Sequence, residues 1–315
     1  MHDSTGKLYL RFFVTFLAGV AAATAQTYGY VSNTMSNTVS VVDLATNAIS
    51  TTITISGGGL TGLAVMPNGA YVYVTEESKN CVAIISTASN SVVDTVSVGS
   101  GPVQVAFTPN GEWAYVVNEL SNNVSVINTA TKAVVTTIMV GTRPTGIAAT
   151  PDGTRVLVTN LLSATISVIT TASNSVTATW KGFDGPGAIA VYGNDVYVAN
   201  EYNNSLTVQN LATGSTLSTI TGLGGPCAVA VTPNGSQVYV VNGSKSSVWA
   251  LNASSLAIEA QITVGSLPTS VAVSSNGATA YVTNAYSFSL TEINTSTNTV
   301  KGTLSLGVYP FSVAL

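Results

Sequence analysis

Hydrophobic positions in this chain fall in runs of about six residues alternating with small or polar ones, the period-two pattern of strands rather than the spacing of a helix face. From Pro102, the run Pro102-Val103-Gln104-Val105-Ala106-Phe107 predicts one strand and Trp113 to Asn118 a second. Val124-Ser125-Val126-Ile127-Asn128 predicts a third, and Ala133 to Val140 a fourth. Turn-forming residues separate them, including Pro109-Asn110-Gly111 and Thr129-Ala130-Thr131-Lys132. The expected unit is a four-stranded antiparallel meander with its first strand innermost.

That unit repeats along the chain. A Tyr-Val-x-Asn anchor recurs at Tyr30–Asn33, Tyr115–Asn118, Tyr197–Asn200, Tyr239–Asn242 and Tyr281–Asn284, with altered copies at Tyr73–Glu76 and Leu157–Asn160. The interval is about 42 residues, in the range of propeller blades. Inner-strand runs begin at Leu60, Pro102, Pro144, Pro186, Pro226, Pro268 and Pro310. The predicted fold is therefore all-β, a seven-bladed β-propeller with four antiparallel strands per blade. Because the repeat opens on a second strand, Tyr28 to Asn33, and ends on an inner strand, Pro310 to Leu315, the C-terminal inner strand must pair with the N-terminal strands in one blade and close the ring.

Composition changes the picture in two places. Charged residues are only 7% of the 315, which suits sheets packed on both faces. Lys7 and Arg11 precede an apolar run, Phe12 to Ala23, that ends in Ala23-Thr24-Ala25. This reads as a secretory signal peptide over residues 1–25, leaving 26–315 as one propeller domain that is exported to the periplasm, cell surface or medium. Beyond it no apolar run is long enough for a spanning helix, so no integral membrane span is expected. The net charge of −4 becomes one unit more negative once Lys7, Arg11 and Asp3 are removed, which disfavours nucleic acid as a partner. Cys81 and Cys227 fall four repeats apart and are expected not to pair.

The recurring Tyr-Val-Thr-Asn, Val-Ser-Val-Ile-Asn/Asp, Pro-Asn/Asp-Gly and Val-Gly-x-x-Pro phrases resemble the YVTN family of β-propeller repeats from Tyr28 to Leu315. The resemblance implies the fold, and a kinship with surface-layer proteins, exported proteins and seven-bladed lactonases. Relatives that act as enzymes are expected to use histidine beside carboxylates at the channel mouth. This chain departs from the pattern at Leu157 and Glu76, and in a fifth period shortened around Tyr192-Gly193-Asn194.

Chemistry is bounded first by histidine, whose one copy, His2, lies in the expected signal segment. Triads and histidine-ligated metals are thereby excluded from the mature chain, and no catalytic residue, metal or cofactor is assigned. The inner strands carry small or apolar residues toward the axis and no carboxylate, with Gln104 and Cys227 the only functional groups of note.

Residues that break the repeat carry the remaining information. After the anchor come Glu77, Glu119 and Glu201, and one residue later Tyr202 and Tyr286. The residue before each inner strand is Gly except at Arg143, Leu267 and Tyr309. Glu77, Glu119, Arg143, Glu201, Tyr202, Tyr286 and Tyr309 thus form a candidate ligand-binding rim on one loop face, suited to a small molecule, glycan or protein. The leading expectation is an exported, non-enzymatic binding or surface-associated scaffold, as a monomeric ring. A lactonase- or glycosidase-like hydrolase using the loop carboxylates with Arg143 as electrostatic stabiliser, and a purely structural envelope protein, remain as alternatives.

Overall fold

The computed structural model describes residues 28–315; the expected signal segment 1–25 lies outside the described residues. The predicted strands form, and they assemble into seven four-stranded antiparallel sheets. Blade I combines residues 310–314 with Tyr28–Asn33, Thr38–Asp43 and Ala48–Thr54, so the ring closes as the sequence requires. Blades II to VII then begin at Leu60, Pro102, Pro144, Pro186, Pro226 and Pro268, each running inner, second, third and outer strand. Successive inner strands contact one another around the ring, and the inner strand of blade I completes it against blade II. In blade V the shortened period is a two-residue hairpin, Tyr192 pairing with Asp195 across Gly193 at φ 56°.

The anchor phrase is explained by what its two ends touch. Its Tyr is buried, and the hydroxyl reaches the turn between the third and outer strands of the next blade: Tyr115 donates to Asn174 at 2.6 Å and Tyr239 to Asn298 at 2.6 Å. Its Asn ties second strand to third. Asn118 Nδ2 donates to Asn123 and Ser125, Asn160 to Thr165 and Ser167, and Asn200 to Ser205 and Thr207. The Gly of Val-Gly-x-x-Pro is required because that Asn leaves no room, a Cβ at Gly99 falling 2.7 Å from Asn118 Nδ2 and one at Gly265 2.7 Å from Asn284. In blade II the exception is coordinated: Glu76 replaces Asn, faces Cys81 instead of the Ser, Thr or Asn of the other blades, and lies over Gly57. Cys81 and Cys227 are free and buried.

The innermost strands carry a feature that sequence alternation hides. In every blade the pairing with the second strand slips just after the first inner residue, at Val103, Gly187, Cys227, Thr269 and Phe311 and across Thr61–Gly62 and Thr145–Gly146. A bulge re-aims its side chain. Thr61 donates to the carbonyl of Pro102 at 3.1 Å, Thr269 to that of Pro310 at 3.4 Å, and the Cys227 thiol to that of Pro268 at 3.4 Å. Each is a staple to the next blade's inner strand. Phe311 differs, joining the apolar cluster of Val103 in blade III; with blade II lying between them along the ring, its side chain reaches over the axis.

Candidate functional site

One end of the ring is built by a repeated backbone clip. The residue after each anchor donates its N–H to the carbonyl of the residue before the inner strand: Thr34 to Tyr309, Glu77 to Gly59, Glu119 to Gly101, Leu161 to Arg143, Glu201 to Gly185, Gly243 to Gly225 and Ala285 to Leu267, all at 2.8–3.0 Å. The two loop positions singled out from sequence are therefore neighbours in every blade. The acceptor residue is left-handed throughout, with φ between 53° and 67°. Glycine adopts this freely, whereas Arg143, Leu267 and Tyr309 hold a conformation uncommon for bulky residues.

Across blades III to V the clip positions assemble a charged row. Arg143 Nε donates to Glu119 Oε1 at 2.6 Å, with the Glu119 side chain 1% exposed and that of Arg143 20%. Burial works against the Arg143 charge, but the hydrogen bond and charge of Glu119, with Tyr202 and Glu201 adding, hold its pKa above the ordinary value. Glu201 turns inward on the far side of Arg143. Its carboxylate occupies the space above Gly187, where Thr61, Thr145 and Thr269 stand in other blades, so any Cβ there would overlap it. Burial raises the Glu201 carboxyl to about 8; Arg143 pulls it down and the charge of Glu119 pushes it up again. Tyr202, the next residue, lies over Gly185, where a Cβ would be 2.6 Å from its ring.

This arrangement corrects the expectation that no carboxylate reaches the channel wall. The inner strands supply none, but Gly187 leaves a vacancy that Glu201 fills from its loop. Gln104 and Cys227, the groups expected to mark that wall, are fully buried in it, and burial followed by the charge of Glu201 raises the Cys227 thiol well above its ordinary pKa. Of the other candidates, Glu77 is half-buried on a short helical turn of blade II, its Cβ against Gly59. Tyr286 and Tyr309 meet each other on the opposite side of the mouth, ring centroids 5.8 Å apart at 63°.

Sequence reasoning missed Phe288. It occupies a left-handed position, φ 50°, held by Asn37, Asn80, Asn122 and Asn204 in other blades, and its ring is 45% exposed. In blade III the Asn122 side chain accepts from the backbone N–H of Arg143 at 2.7 Å; the same register places Phe288 beside Tyr309. A shallow groove elsewhere, between the rim of blade III and blade IV, is lined by Met139, Val140, Ser163 and Thr179 and carries no titratable side chain.

Residues 87–223 match the family model described as Lactonase, 7-bladed beta-propeller. That span contains Glu119, Arg143, Glu201 and Tyr202 and excludes Glu77, Tyr286 and Tyr309. No curated protein matches the chain. Among solved structures it is similar to hydrazine synthase of Kuenenia stuttgartiensis, with TM-score 0.80 and 20% identity over 91% of this chain and 96% of that one. A functionally unknown protein of Desulfotomaculum acetoxidans gives 0.78 and 20% over 91% and 99%. A candidate 6-phosphogluconolactonase of Bacteroides fragilis gives 0.77 and 15% over 93% and 99%. At these identities the likeness is one of fold. Among the described residues no helix is long and apolar enough to cross a membrane.

Proposed function

We propose that this chain is an exported, non-catalytic propeller that binds a small hydrogen-bonding ligand at the loop mouth. The observation that carries the reading is the Glu119–Arg143–Glu201 row, in which charged side chains from adjacent blades are drawn together at the mouth, whereas the one other charge at these positions, Glu77, stands apart in blade II. Removing charges from water is costly and is retained where geometry compensates it. The row offers the partly exposed Arg143 guanidinium, held from behind by buried Glu119, and a Glu201 carboxyl that carries its proton at neutral pH, beside the Tyr202 ring. Thermal unfolding of residues 26–315 against sugars, lactones and short peptides tests this. A ligand at 100 times its Kd adds about 2.7 kcal/mol, and the shift should vanish in Arg143→Gly, which installs the residue found in four sibling blades. An unchanged shift in that variant overturns the placement.

A second reading, hydrolysis of a lactone, is favoured by the lactonase family match over the very span that holds the row. Here Glu201 would take a proton from the attacking water once ionised and return it to the ring oxygen as that bond breaks, with Arg143 facing the developing oxyanion. Turnover of δ-lactones that rises through pH 8 and is abolished in Glu201→Gln, with folding retained, would establish it. No turnover leaves the binding reading in place.

A further inference from the structure

We infer that the blade VII–I side of the mouth, formed by Tyr286, Phe288 and Tyr309, is a platform for the flat apolar face of a neutral sugar ring, so that the ligand is an oligosaccharide spanning the mouth from this platform to the charged row. The inference rests on the binding reading above and specifies its ligand class.

Three observations carry it. First, the rings are bought out of the repeat. Tyr309 stands at φ 63° where four blades have Gly, and Phe288 at φ 50° where four have Asn, yet Tyr286 and Phe288 remain 53% and 45% exposed. Tyr309 packs in part on the apolar cluster of Val103 and Phe311, but no such packing holds the exposed Phe288 in its left-handed position, and such strain concentrates at ligand clamps. Second, the patch is uncharged. The Tyr286 and Tyr309 rings touch, and exposed Met35 and Val308 flank Tyr309, through the clip from Thr34 and through the chain. An exposed apolar patch rimmed by polar groups marks a binding surface.

Third, the surroundings select among occupants. The backbone of this rim is already engaged, Thr34 N–H bonding Tyr309 O at 3.0 Å and Leu306 N–H bonding Phe288 O at 2.7 Å, which leaves these carbonyls committed rather than open to an added peptide strand. No Lys or Arg stands among residues 34–37, 285–288 or 307–309 to meet anionic headgroups. A sugar ring suits what remains. Its C–H face covers an aromatic ring while its hydroxyls find the phenols and, further along the chain of sugars, the polar groups of Arg143 and Glu201.

The test is calorimetric titration of residues 26–315 with cellohexaose, chitohexaose and maltohexaose, repeated on the triple variant Tyr286→Ser, Phe288→Asn, Tyr309→Gly and on Arg143→Gly. Every substitution installs a residue present at the same position in another blade, so the unfolding midpoint of each variant checks that the ring is intact. We expect one hexaose to bind the parent and to bind the triple variant at least tenfold more weakly, with Arg143→Gly also weakened. Undiminished hexaose affinity in the triple variant overturns the platform and leaves the charged-row reading standing. Loss in the triple variant with Arg143→Gly unaffected supports the platform and overturns the row. Binding of none of the three sugars, or sedimentation with phosphatidylcholine vesicles that the triple variant abolishes, overturns the sugar assignment.

Discussion

The two sides of the mouth share one backbone and treat their exceptional residues in opposite ways. In blades III to V the breaks from the repeat are charges drawn inward, Glu119 buried against Arg143 and Glu201 over Gly187. On the side of blades VII and I they are rings, Tyr286 and Phe288 about half exposed and Tyr309 half-buried against the cluster of Val103 and Phe311. The clip from the residue after the anchor to the residue before the inner strand is the same on both sides. What differs is the inner strand beneath. Gly187 leaves a space at its bulge, whereas Phe311 fills its own and reaches over the axis. In blade V the missing side chain at Gly187 is what gives Glu201 room to turn in, while the exposed rings Tyr202 and Tyr286 occupy the next loop position on both sides of the mouth.

The contrast can be broken most sharply at Glu119. Glu119→Ala strands a partly buried guanidinium and should cost about 3–5 kcal/mol in urea unfolding. A cost under about 1 kcal/mol, the range of an exposed pair, would mean that this side is solvated like the other.

The next effect is pH dependence. Glu201 rises from an ordinary 4.5 to about 8 on folding, so between those values the folded chain holds a proton that the unfolded chain has released. Stability should fall as pH rises from 4.5 to 8, by at most about 1.4 kcal/mol per unit, and then level off. Glu201→Gln should flatten this slope when melts are compared across the range.

Gly187→Thr sharpens the role of the inner residue by restoring the Thr of blades II, IV and VII. It should expel the Glu201 carboxylate, remove the same slope, and cost about 1–3 kcal/mol if the loop resists. The smallest effect is expected on the aromatic side. Tyr286→Ser removes a ring that is 53% exposed and loses one edge-on ring contact, so stability should stay within about 1 kcal/mol of the parent in the same melts.

The blades were legible because seven imperfect copies reinforce one another: a single Tyr-Val-x-Asn phrase says little, but its return with the same turns and inner runs leaves one architecture. Ring closure followed from counting, since the orphan inner strand at Pro310 has only the N-terminal strands to pair with. The bulges were not legible, because each follows the first residue of a strand buried on both faces, which leaves no in-and-out alternation for the slip to interrupt. Nor was the inward turn of Glu201, which depends on a glycine fourteen positions earlier. Phe288 was within reach, standing where the register has Asn, but it lies outside the two loop positions that drew attention to the carboxylates.

Closure within blade I also sets direction. Tyr28 starts a strand that climbs toward the mouth and the last inner strand descends from it, so both ends of the described chain emerge on the opposite face, where Leu315 packs over Gly29. A surface, label or fusion partner attached at either end meets the back of the ring. A short tether from Leu315 therefore leaves the mouth facing away from the support in an immobilised assay.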